Sequence, residues 1–147
     1  MQRIGMLIAL LSLIIYGNSF AMSGMDHGQS DDKKGNEFIH KEMVDDLHTE
    51  FKVMDLASMN MKDPDGKTHH VMATFMRDNV KITKAVGKVK LISPSGKEQI
   101  ADLKDYGSGV FAANFTIDEP GKWGVVCLVK EESGKHTVKF WYQHMAM

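Results

Sequence analysis

From residue 47 to residue 142 the chain runs as short apolar segments separated by turn signals, a spacing that leaves room for strands but not for helices. Residues 86–93 (VGKVKLIS) alternate Val89 and Leu91 with Lys88 and Lys90, residues 110–117 set Phe111, Ala113, Phe115 and Ile117 on one face, and residues 136–142 alternate Val138, Phe140 and Tyr142. Successive side chains leave a strand on opposite sides, so this period of two marks strands with one buried face. Residues 122–130 are apolar on both sides, with Trp123, Val125, Cys127 and Val129 on one face and Val126 and Leu128 on the other. That is the pattern of a central, buried strand. Pro94-Ser95-Gly96, Tyr106-Gly107-Ser108-Gly109, Glu119-Pro120-Gly121 and Glu131-Glu132-Ser133-Gly134 punctuate the segments. Together with strands at 68–77, at 97–103 and from Leu47 onward, they predict an all-β sandwich of about seven strands, spaced about 8–12 residues apart. Trp123, Val125, Cys127, Phe111, Phe115 and Phe140 are its predicted core.

The N-terminus does not belong to that domain. Arg3 followed by the 13 apolar residues 4–16 and by Ser19-Phe20-Ala21 has the three parts of a secretory signal peptide, cleaved after Ala21. The apolar run is shorter than the roughly 20 residues that span a bilayer as a helix. Residues 22–37 (MSGMDHGQSDDKKGNE) are polar and without apolar periodicity and read as a disordered tail, leaving 38–147 for the sandwich. Residues 38–46 follow no clear period, and His40 and His48, among acidic neighbours, read as solvated surface histidines. Removing Arg3 leaves 17 Lys+Arg against 19 Asp+Glu, a net charge of 17 − 19 = −2, which argues against a nucleic-acid partner. One cysteine, Cys127, excludes an intrachain disulfide and, mid-strand, reads as core.

Chemistry concentrates in residues 54–76 (MDLASMNMKDPDGKTHHVMATFM), which hold five methionines, Met54, Met59, Met61, Met72 and Met76, and two histidines, His69 and His70. The central Lys62-Asp63-Pro64-Asp65-Gly66-Lys67 is a turn sequence, so the flanks 51–61 and 68–77 fold back on each other. With Met61 opposite Thr68, Met59 faces His70 and Ala57 faces Met72. Directly opposed residues share a face, so Met59, Met61, His70 and Met72 form one cluster in that register. A one-residue slip exchanges His70 for His69, and the register stays open at this point. Thioethers and imidazole are a soft donor set that selects Cu(I), whereas zinc would bring Cys or carboxylate beside His. Ligation requires neutral imidazole, so binding weakens as pH falls. Met22, Met25 and His27 in the tail, and His144 and Met145 at the C-terminus, repeat the Met/His combination more weakly.

The order Thr83-Lys84-Ala85-Val86-Gly87-Lys88-Val89, then Pro94-Ser95-Gly96, Gly109-Val110-Phe111 and Pro120-Gly121-Lys122-Trp123-Gly124-Val125 resembles the YtkA-like domain, over roughly half of the chain. The resemblance implies an immunoglobulin-like sandwich, exported or membrane-tethered, without enzymatic activity and linked to copper handling. Its implied partner is a membrane-bound protein of a metal-efflux or oxidase-assembly system. It supplies no ligand set, and the Met-rich stretch 54–61 departs from it.

No G-x-S-x-G, paired Cys, Gly-rich strand–helix loop or H-E-x-x-H motif is present, and no enzymatic activity is expected. Two function classes remain. One is an exported, periplasmic copper-binding protein holding Cu(I) on Met and His. The other is a metal-free exported interaction or assembly module. Oligomeric state is not written in the chain.

Overall fold

The computed structural model describes residues 32–34, as backbone only, and residues 37–145. The signal segment 1–21 and the tail residues Met22, Met25 and His27 lie outside the described residues.

In chain order the strands are β1 (Asp32–Lys34), β2 (Glu37–Val44), β3 (Leu47–Asp55), β4 (His69–Arg77), β5 (Val80–Lys81), β6 (Val86–Ile92), β7 (Glu98–Asp102), β8 (Lys104–Asp105), β9 (Val110–Phe115), β10 (Gly121–Glu131) and β11 (Gly134–His144). They form two antiparallel sheets. The first runs β1-β2-β3-β4-β9-β8, with β5 paired to β4, and the second runs β11-β10-β6-β7. The chain passes between sheets after β5, after β7 and after β9. With β4 beside β9 in one sheet and β6-β10-β11 in the other, this is an immunoglobulin-like sandwich. The seven strands predicted from alternation are β3, β4, β6, β7, β9, β10 and β11.

The inner faces meet in one core. Phe51, Phe75, Phe111, Phe115, Trp123, Val125, Cys127, Val138 and Phe140 are all buried within it. Trp123 satisfies its indole by donating from Nε1 to the Glu119 carbonyl at 2.9 Å, as a buried N–H must. Burial pushes the Cys127 thiol up to about 12, so it is a core side chain and not a reactive one. Among the described residues, no methionine belongs to the buried core.

Two segments differ from expectation. Residues 38–46 are mostly strand, β2, which joins β3 through Asp45 and Asp46, both at positive φ (49° and 70°), the geometry of a tight hairpin turn. β2 also pairs with Asp32–Lys34, residues of the polar tail; backbone pairing needs no apolar side chain. His40 is not solvated. It faces inward from β2, is 1% exposed, and stacks on Phe140 with ring centroids 4.4 Å apart.

Candidate functional site

The β3–β4 hairpin has a different register from the one with Met61 opposite Thr68. Met54 pairs with His70 and Asp55 with His69, so the residue opposite His70 lies 59 − 54 = 5 positions before Met59. Met59 closes a single 3-10 turn, Ala57–Met59, and Met61 lies in the loop beyond it, 52% exposed. The cause is Leu56. Inward residues of β3 are odd-numbered up to Val53, yet Leu56 is 3% exposed. Burying it forces the chain out of strand geometry after Asp55. The turn is held by bonds from Met59 N and Met61 N to the Leu56 carbonyl and from Leu56 N to the Thr68 carbonyl.

Strand alternation then sorts the chemistry. On β4, His69, Val71, Ala73 and Phe75 face the core, and His70, Met72, Thr74 and Met76 face outward. Met54 shares the outer face with His70, as directly opposed residues do. On the other side of β4, His70 pairs with Asn114 and Met72 with Ala112 of β9. One cross-strand row of the outer face is therefore Glu37–Met54–His70–Asn114, with Met72 two residues further along.

The orientation of His70 follows from its neighbours. Asp63 receives the backbone N–H groups of Asp65 (2.8 Å) and Lys67 (3.2 Å) on Oδ2, and Asn114 Nδ2 donates to its Oδ1 at 2.8 Å. The Asn114 bond, reinforced by those backbone bonds and by Lys67 against the effect of burial, holds the Asp63 carboxyl below its ordinary value. A carboxylate only accepts, so Asn114 turns its NH₂ to Asp63 and its Oδ1 to His70. The Oδ1 lies 2.7 Å from His70 Nδ1, which donates to it. In the neutral ring this leaves the lone pair on Nε2. A ring nitrogen so tied leaves the other nitrogen oriented for a metal.

His69, adjacent in sequence, points the other way. It is buried, with Thr68 Oγ1 2.8 Å from its Nδ1, and its ring meets His144 of β11 edge-on at 5.3 Å. Burial first, then the His144 charge, lower its pKa against the effect of Asp55, so the ring is neutral at pH 7. The structure thus brings together two of the sequence candidates, His69 and His144, at one end of the sandwich, apart in facing from His70. Met145 follows, 63% exposed.

A further polar cluster has no signature in the sequence. Arg77 donates bidentately to Glu131 (2.9 and 3.0 Å), and Glu131 also meets Ser133 and the His136 Nε2, while His136 Nδ1 lies 3.2 Å from Asp45. Arg77 foremost, against burial, holds the Glu131 carboxyl far below the usual range. This cluster ties β4 of the first sheet to β10 and β11 of the second. Arg77 lies 54 residues from Glu131 and Asp45 lies 91 from His136, so local pattern could not announce these links.

Among the described residues no three His, Cys, Asp or Glu side chains converge as a metal site. A three-ligand site built from the described side chains would have to include a donor of another kind, such as a thioether. Compared with protein-family models, with curated proteins and with solved structures, the chain matches no family model, no curated protein and no solved structure.

Proposed function

We propose that the protein is an exported, periplasmic copper-handling protein that holds Cu(I) on the outer face of its first sheet, through His70 Nε2 and the thioethers of Met54 and Met72. The observation that carries the reading is the placement of the methionines. Met43, Met54, Met72 and Met76, the methionines on described strands, all face outward on that one sheet, and none fills the core. Methionine is a good core filler, so its exclusion from a core built mainly of phenylalanine, valine and other apolar residues argues for a surface use. Thioether and imidazole suit Cu(I) and serve hard cations poorly. The proposal supplies no catalytic step, and the resemblance to the YtkA-like domain supports the copper association and a membrane-bound efflux or oxidase-assembly partner.

A second reading, a metal-free interaction module, is favoured by the outer face of the second sheet, where Trp141, Leu128, Ile100 and Val86 are all more than half exposed. Competition titration of the exported protein with Cu(I) against a chromophoric chelator separates the two. Met54→Leu/Met72→Leu and His70→Ala should each lose about tenfold or more in affinity, 1.4 kcal/mol or above, with the fold intact. Variants indistinguishable from the parent favour the interaction module.

A further inference from the structure

The far end of the same face carries a second Met/His row. Met43 of β2 pairs with His48 of β3, and His48 pairs with Met76 of β4. The three directly opposed residues put an imidazole between two thioethers on adjacent strands. Neighbouring strands lie about 4.8 Å apart, which sets the two methionine backbones about 10 Å from each other across His48. Each thioether sits on a side chain with three rotatable bonds, so both can lean over the central ring. The row lines an open cleft of about 360 Å³ together with Glu50 and Thr74.

We infer that Met43, His48 and Met76 form a second site for a soft monovalent cation of the Cu(I) class, distinct from the one at His70. Three further observations carry this. First, the His48 side chain makes no hydrogen bond, ion pair or ring contact with any described residue, so either ring nitrogen can turn to a metal. Second, the carboxylate nearest along the strand, Glu50, is already shared between Lys41 (3.6 Å) and Lys52 (3.9 Å). Glu42, which also lines the cleft, is engaged through Oε1 with His40 Nε2 at 2.9 Å, and Lys81 opposite Met76 adds positive charge that disfavours a hard divalent ion. An uncharged S/N/S donor set with a monovalent ion suffers least from that field. Third, tight turns brace the row at both ends. Asp45-Asp46 follows Met43 within three residues, and Asp78-Asn79, at positive φ (52° and 65°), follows Met76. Such turns pin the register that keeps the three side chains on one face. The inference does not require that His70 bind metal.

The test uses the exported protein with isotope-labelled methionine methyl groups, titrated with Ag(I) as an oxidation-stable stand-in for Cu(I), alongside a His70→Ala/Met54→Leu/Met72→Leu variant. The methyl signals of Met43 and Met76 and the ring signals of His48 should shift together in both proteins. The His48 ring signals should cease to respond in Met43→Leu/Met76→Leu, whose amide spectrum otherwise stays that of the parent. If the Met43 and Met76 methyls hold still under excess Ag(I), or move without His48, the second site is wrong. Should this row respond while Met54, Met72 and His70 do not, the second site stands and the proposed function loses its site; the converse response removes the second site alone.

Discussion

The two outward faces of the sandwich are built on the same alternation and carry different chemistry. The outer face of the first sheet presents Met43, His48, Met54, His70, Met72 and Met76. That of the second presents Lys88, Lys90, Lys130 and Lys139 with Leu128 and Trp141, and its four strands contain no methionine. Folding requires only that the inner positions be apolar, and both sheets meet that requirement with phenylalanine, valine, alanine and similar residues. Neither packing nor strand propensity asks for thioethers on one exterior and none on the other; β-branched and aromatic residues suit strands better than methionine. The copper proposal accounts for that difference between the faces.

The largest effect that sharpens this contrast comes from a single strand, β9. Phe115 faces the core at 1% exposure, and its neighbour Asn114 faces outward beside His70. Phe115→Ala should destabilise the domain by about 3–5 kcal/mol in denaturant unfolding, and a cost typical of surface positions would dissolve the distinction between the two sides of the sheet. Asn114→Ala should leave the unfolding midpoint nearly unchanged but weaken Cu(I) binding about 10–100-fold in chelator competition, the usual consequence of removing the group that orients a ligating histidine. Unchanged affinity would detach the Asp63–Asn114–His70 chain from function.

The smallest effect separates inner from outer histidines. His136 and His69 both face inward, near opposite ends of β11, yet their pKa values move in opposite directions. Burial alone would lower the His136 value, but hydrogen bonds to Glu131 and Asp45 and their charges outweigh it and raise it. A raised folded value means that His136 contributes stability fully below the unfolded imidazole value, about 6.5, and loses that contribution as pH rises through the folded value. His69, lowered, does the reverse: stability falls as pH drops through the unfolded value. In thermal melts the deficit of His136→Gln relative to the parent should be greatest in acid and shrink above neutrality, with Cu(I) affinity untouched. A deficit that grows with pH would contradict the assignment.

Much of the fold was legible because period-two alternation survives in the strands that fill the core, from Val89 and Leu91 to Val138 and Phe140. β2 was obscured because one of its inward positions is a histidine, His40, and because its turn is Asp45-Asp46, without the glycine that usually marks such turns. In the site, parity alone placed His70 and Met72 on one face and turned His69 away. Met59 does not lie opposite His70, although the turn residues Asp63–Gly66 centre the hairpin on that pairing, because the burial of Leu56 ends β3 early. Its parity break against Phe51 and Val53 was the available signal. Asn114, 44 residues from His70, and the Arg77–Glu131 pair depend on contacts that no local spacing encodes.

The central claim is that thioethers of the first sheet's outer face bind copper. Copper K-edge absorption of the Cu(I)-loaded protein measures the donor atoms directly. The account predicts sulfur scatterers together with imidazole nitrogen in the parent, with the sulfur contribution falling in Met54→Leu/Met72→Leu. A first coordination shell of nitrogen and oxygen alone, or sulfur that persists unchanged in that variant, would contradict it.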